Sequence, residues 1–283
     1  MEEVEMSSVL KYGQTFRTLR ERRGFSLSSF DNVGCPKATL SNFENGKNMI
    51  AFDKLYRVLR AMGETLENYS TLLENYPVSE AETILKEIEV ADKKQDNKSL
   101  AELYKQLLTS KELILAFTAK ANFERLTDQE SEEVTDYLLE LEVWTYVEFC
   151  VFYFVVEDMR SNDIVRILDF FFKEGHPLFE SSKVCERFTL SAIRSLAVLI
   201  DRGYTNYTCY AFERLEELGL IQSMFQKNLF NLAKGYWIYS FRDQTKGYAQ
   251  MQRALEIFQI FNSPEITNYY QRRYAHFMEK ERG

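Results

Sequence analysis

Lys37, Ala38, Ser41 and Asn42 share one side of the segment 35–46 at the spacing of a helix face, and none has an apolar reason to be buried. Those residue types have a use against a base pair. Lysine donates to guanine acceptors, asparagine pairs bidentately with adenine, and a small alanine touches the thymine methyl. Catalytic chemistry has far less to draw on. The two histidines, His176 and His276, and the four scattered cysteines, Cys35, Cys150, Cys185 and Cys209, show neither zinc-ligand spacing nor a redox pair. There is no nucleophile–base spacing and no glycine-rich phosphate loop. Neither a metal, a cofactor nor enzymatic activity is expected; carboxylate-only chemistry is the one enzymatic reading left open.

The polar face needs an apolar underside. Leu40 and Phe43 supply it from the same segment, with Pro36 in its first turn and Gly46 past its end, where each is best tolerated. Before it, Val9, Tyr12, Phe16 and Leu19 recur at helical spacing up to Gly24, and Ser26 is placed to cap a short helix turning Leu27 and Phe30 inward before Gly34. After it, Leu55, Val58, Leu59 and Met62 mark a fourth helix ended by Gly63, and Thr65 caps a fifth.

Charge isolates this stretch from the rest. Residues 11–60 carry ten Lys or Arg against four acids, whereas the remainder carries 25 against 39, giving the net −8 of the 283-residue chain. A basic module on an acidic body predicts that only the module meets a polyanion. The residues after Met1 are acidic and lack the pattern of a secretory signal. The longest apolar run, the eight residues from Phe149 to Val156, falls short of the roughly 20 that a membrane helix needs. A soluble cytoplasmic protein without a membrane partner is expected.

Beyond Tyr76-Pro77 the helical period continues nearly to the end, through Ile84, Leu85 and Ile88, then Leu100, Leu103, Tyr104 and Leu107, then Leu113, Ile114, Phe117 and Ala121. Breaks such as Asp96-Asn97, Thr127-Asp128, Gly203 and Gly219 mostly delimit one or two helices. Repeats of roughly 34 to 40 residues predict a solenoid of tetratricopeptide-like helix pairs; a compact helical bundle is the alternative. Gly235, Gly247 and Ala254 are spaced like the small residues that let paired helices approach. Phe149 to Val156 reads as an internal helix. The fold class is therefore all-α, with residues 1–75 as one domain and 76–283 as a helical repeat domain for ligand binding and dimerisation.

The N-terminal residues resemble the phage-repressor or Xre type of helix-turn-helix, through Arg20 to Gly24, Ser26, Gly34 and Leu-Ser-Asn-Phe-Glu-Asn-Gly-Lys at 40–47. The resemblance implies that the third helix enters the major groove of double-stranded promoter DNA. It places Lys37, Ala38 and Asn42 at base edges and Ser28, Lys47 and Asn48 at phosphates, with Thr39 a further DNA-binding residue. It also implies a structural ion pair between Arg20 and Glu44. Together with the acidic helical body, the whole chain resembles the Rgg family of transcriptional regulators. This implies a cytoplasmic homodimer whose repeat domain binds a short signalling peptide in quorum sensing, with RNA polymerase as a further partner. Tyr153, Arg194, Asn228, Asn231, Tyr236 and Tyr239 are the candidates for the peptide groove. Tyrosine offers an apolar body with a polar tip, asparagine satisfies an extended backbone, and arginine holds a carboxylate. The alternative function is a DNA-binding regulator whose helical body serves only as a dimerisation or protein-docking platform.

Overall fold

The computed structural model describes residues 2–73, 79–175, 177–261 and 264–280, without the side chains of 2–8 and 276–280. Among the described residues all regular structure is helical. Contacts divide the chain into two compact units, 1–78 and 79–283; the sequence-based boundary at 75/76 lies outside the described residues, as do His176 and the side chain of His276.

The first unit consists of α1 (Glu2–Arg22), a 3-10 helix (Leu27–Val33), α2 (Lys37–Glu44), α3 (Phe52–Ala61) and α4 (Leu66–Leu72). Phe16, Phe30, Leu40, Phe43, Val58 and Leu59 are at most 1% exposed and form its core. Gly24, Gly34 and Gly63 take positive φ at the ends of three of these helices, as their placement in the sequence predicts. Thr65 caps α4 by accepting from the Asn68 amide. The expected inward role of Tyr12 is corrected: its side chain is exposed, and Gly13 takes the buried position. The reason is steric. A Cβ on Gly13 would stand 1.9 Å from the Phe43 carbonyl oxygen, so α1 rolls its glycine toward α2 and Tyr12 outward.

The second unit is a solenoid of helix pairs: α5 (Glu80–Lys94), α6 (Asn97–Ser110), α7 (Leu113–Lys120), α8 (Asp128–Glu140), α9 (Tyr146–Val155), α10 (Ser161–Glu174), α11 (Ser182–Asp201), α12 (Thr205–Glu217), α13 (Met224–Phe241), α14 (Gln244–Ile260) and α15 (Pro264–Lys280). Alternate helices α7, α9, α11 and α13 pack one on the next, and their chain neighbours pair with them. The run 149–156 could form a strand by periodicity alone, but Thr145 and Glu148 make it a helix. Thr145 Oγ1 accepts from the Val147 amide, and the Glu148 carboxylate accepts from the Thr145 amide at 2.6 Å. Gly235 and Gly247 do what their spacing predicts: a Cβ on Gly247 would lie 2.2 Å from the Tyr239 nitrogen, so α13 and α14 approach backbone to backbone. Leu113, expected inward, is exposed, and Leu115 and Ala116 join the expected Phe117 in the core. Helix α15 packs against both α14 and α5, bringing the last repeat back to the first helix of the unit.

Candidate nucleic-acid interface and ligand cavities

Helix α2 presents two unlike faces. Leu40, Phe43 and Glu44 are buried; Lys37 and Ala38 are exposed; Thr39, Ser41 and Asn42 are partly exposed. Past the helix, Lys47 and Asn48 are exposed, as is Ser28 on the 3-10 helix. Pro36 cannot cap α2 with a side chain, and Asp31 takes over: its carboxylate accepts from the Lys37 amide at 3.2 Å. Gly46 turns the chain at φ 67°, and a Cβ there would meet Leu10 at 2.8 Å. The Lys47 amide then donates to the Asn42 carbonyl at 2.8 Å.

The helix is held from beneath by an ion pair. Arg20 meets Glu44 in a two-pronged contact, Nε to Oε1 at 2.6 Å and Nη2 to Oε2 at 2.8 Å, and its Nη1 donates to the Phe25 carbonyl at 2.7 Å. Both side chains are under 10% exposed, so this geometry supplies the partner that a desolvated carboxylate needs. A second pair, Arg23 with the buried Glu64, ties the turn after α1 to the segment after α3; it was not anticipated from the sequence. By contrast, the side chains of the exposed Lys37 and Lys47 and the partly exposed Asn42 have no hydrogen-bond or ion-pair partner among the described residues.

In the repeat unit the six candidate groove residues fall into three groups. Tyr153 and Arg194 come together. The Arg194 guanidinium lies 4.5 Å from the Tyr153 ring centroid, and its Nη2 donates to Glu157 at 3.1 Å, while its Nε and Nη1 are buried without an acceptor. Arg273 of α15 also pairs with Glu157 and stands 3.6 Å from Asp92 of α5. Tyr269 donates to Asp92 at 2.7 Å and lies 3.4 Å, oxygen to oxygen, from Tyr153. Glu157, Arg194 and Arg273 wall a cavity of about 480 Å³. Burial opposes the charge on Glu157, but Arg194, Arg273 and Arg125 bring its pKa down to about 2. Burial likewise raises the Tyr153 phenol, and Arg194, Arg273 and Arg187 more than reverse that, holding it below its ordinary value.

Asn228 and Asn231 line a different space, an apolar groove of about 420 Å³ beside Met224, Phe258, Phe261 and Ile266. Asn228 Nδ2 donates to the Ala254 carbonyl at 2.8 Å, and its Oδ1 is buried without a donor. The expectation for the remaining two residues is corrected. Tyr236 is fully buried edge-on to Tyr274, at 5.7 Å between ring centroids, and Tyr239 lies on the α13 segment clamped by Gly247; neither lines either cavity. Their helical spacing from Asn228 and Asn231 concealed that α14 and α15 cover that end of α13. Asp92, Glu157, Tyr269 and Arg273 were not anticipated. The available signals were an acid ending the apolar run at Glu157, and Tyr269 with Arg273 one helical turn apart.

Among the described residues no His, Cys, Asp and Glu side chains gather in a metal-binding group, and no helix is long and apolar enough to cross a membrane. A family model described as the C-terminal domain of the HTH-type transcriptional regulator Rgg matches residues 83–272, and a helix-turn-helix model matches 16–68. No curated protein sequence matches the chain. Among solved structures, the SHP pheromone receptor Rgg2 of Streptococcus dysgalactiae is similar over 94% of this chain and 99% of its own, at 20% identity and a TM-score of 0.75. A putative transcriptional regulator from Listeria monocytogenes EGD-e is similar over 96% and 98%, at 17% identity and a TM-score of 0.74. PrgX in its complex with iCF10 is similar over 96% and 97%, at 11% identity and a TM-score of 0.72.

Proposed function

Since the chain belongs to the Rgg family of helix-turn-helix transcriptional regulators, we propose that α2 reads promoter DNA and that the repeat unit binds a short signalling peptide which changes transcriptional output. Lys37, Ala38 and Asn42 face base edges, with Thr39 beside them on the DNA-binding surface; Ser28, Lys47 and Asn48 meet phosphates. Arg20 and Glu44 hold the reading helix from below. One such module offers few contacts, so the protein acts as a homodimer on half-sites about 10 bp apart, or a multiple of that spacing. The work is done in the cytoplasm, with RNA polymerase as the partner that senses the outcome.

The peptide half of the reading rests on one observation: a buried arginine, Arg194, with two N–H groups lacking acceptors at the wall of a 480 Å³ cavity. The peptide controls DNA binding only by the difference in its affinity for the DNA-competent and DNA-incompetent arrangements. Calorimetry with the secreted peptides of the producing cells, followed by DNA titration with and without the binder, tests it. Binding of a peptide with a change in DNA affinity or promoter output is the expected result. Absence of any peptide binding leaves the helical body as a dimerisation or docking platform.

A further inference from the structure

Residues 11–60 hold four acids, and three of them are matched. Glu21 pairs with Arg17 at 2.8 Å, Glu44 with Arg20 at 2.6 Å and Asp53 with Arg57 at 2.6 Å. Asp31 alone has no cationic partner among the described residues. It stands exposed between two residues assigned above to DNA. Ser28 lies three positions before it on the 3-10 helix, a spacing that puts both side chains on one face, and the Lys37 amide donates to its Oδ1 at 3.2 Å. An unmatched carboxylate at this place opposes the approach of a polyanion. Capping alone does not call for the charge, since a neutral serine or asparagine caps a helix as well.

We infer that Asp31 determines specificity by repulsion: its charge penalises any docking that brings a phosphate to the start of α2, and leaves the docking in which Lys37, Ala38 and Asn42 reach base edges. The inference rests on the DNA reading proposed above and adds the residue that rejects other modes of contact. The first amides of a helix attract anions, and DNA phosphates commonly use them. Here the carboxylate holds the Lys37 amide, and the Thr39 and Leu40 amides donate to the Pro36 carbonyl at 2.9 and 3.3 Å. A phosphate at that end meets a like charge instead of free donors. The backbone is thus accepted at Ser28 and refused about 6 Å further along the 3-10 helix, which fixes where the strand lies. Specificity built on such a clash separates right from wrong sequences without any added attraction to the right one.

The test titrates the full-length protein against its own upstream promoter fragment and a scrambled duplex of the same length, from low to moderate salt. Asp31→Asn removes the charge and keeps an Oδ1 that accepts from the Lys37 amide. Asp31→Ala removes both, and the exposed position spares the core in either case. Asp31→Asn is expected to bind the scrambled duplex about fivefold more tightly at low salt, with a smaller gain on the native fragment, so that the preference between them falls. The gain should fade as salt rises. Asp31→Ala should share it despite losing the cap. A merely structural role has the opposite sign: Asp31→Asn silent, and Asp31→Ala weaker on both duplexes alike. That outcome overturns the inference, as does an unchanged preference in both variants. An unaltered protein that prefers neither duplex overturns the DNA reading itself, and the inference with it.

Discussion

Two cationic surfaces of this protein are built on opposite terms. On α2 and the segment after it, Lys37 and Lys47 stand in water with no internal partner. In the repeat unit Arg187, Arg194 and Arg273 are withdrawn among aromatic rings, bound to Glu89, Glu157 and Asp92, and still left with free N–H groups. An exposed lysine costs nothing to keep and meets a polyanion through long-range, salt-screened attraction. A buried arginine must be held by its neighbours, so it answers only to a group that fits its free edge. The first arrangement suits a uniform phosphate backbone; the second suits discrimination among small ligands. Arg20 marks the boundary between the two cases: it is buried too, but Glu44 and the Phe25 carbonyl engage it, which makes it structural.

The largest effect that sharpens this contrast is expected at Arg20. Arg20→Ala leaves Glu44 buried and unpaired, and should destabilise the N-terminal unit by about 3–5 kcal/mol, read as a separate early transition in thermal unfolding. An unchanged melting profile would place the pair among the dispensable surface bridges. The next concerns acid. Glu157 holds a proton far less readily when folded than at its ordinary pKa of 4.5, so its contribution to stability is complete above about pH 5 and is lost as the pH falls toward 2. Urea midpoints across that range should decline less steeply in Glu157→Gln than in the unaltered chain; parallel declines would mean that the arginines do not act on it. Third, Gly247→Ala forces a methyl against the Tyr239 backbone and should cost about 1–3 kcal/mol in the repeat unit. Smallest is Lys47→Ala: a phosphate contact is worth little in specificity, and its loss should lower the slope of log K against log salt by about one, equally on all sequences.

The first unit was legible because each of its signals is local. The glycines at 24, 34 and 63, the Thr65 cap and the Leu40/Phe43 underside all act within one or two turns of chain. What sequence reading missed there depended on distance: Tyr12 turned outward because the Phe43 carbonyl, thirty residues away, needs the space above Gly13. The repeat unit yielded its helix pairs and the Gly235/Gly247 contact for the same local reason. Its cavities did not emerge. Arg194 could be picked out as a charge inside an apolar helix, but its partners Tyr153 and Glu157 come from α9 and the turn after it, and only the return of α15 to α5 brings Asp92 and Arg273 together. Tyr236 and Asn228 share a helix and a spacing, yet tertiary cover puts one in the core and leaves the other at a groove.

The most direct test of the central claim is fluorescence anisotropy of the full-length protein on its own upstream promoter fragment and on a scrambled duplex, at moderate salt, with Lys37→Ala/Asn42→Ala as the comparison. A preference for the native fragment is expected that falls by about 1–3 kcal/mol per lost base contact, while the variant stays folded and keeps its weak, salt-sensitive affinity for either duplex. A double variant that retains the full preference would contradict it, because the outer face of α2 would then read nothing.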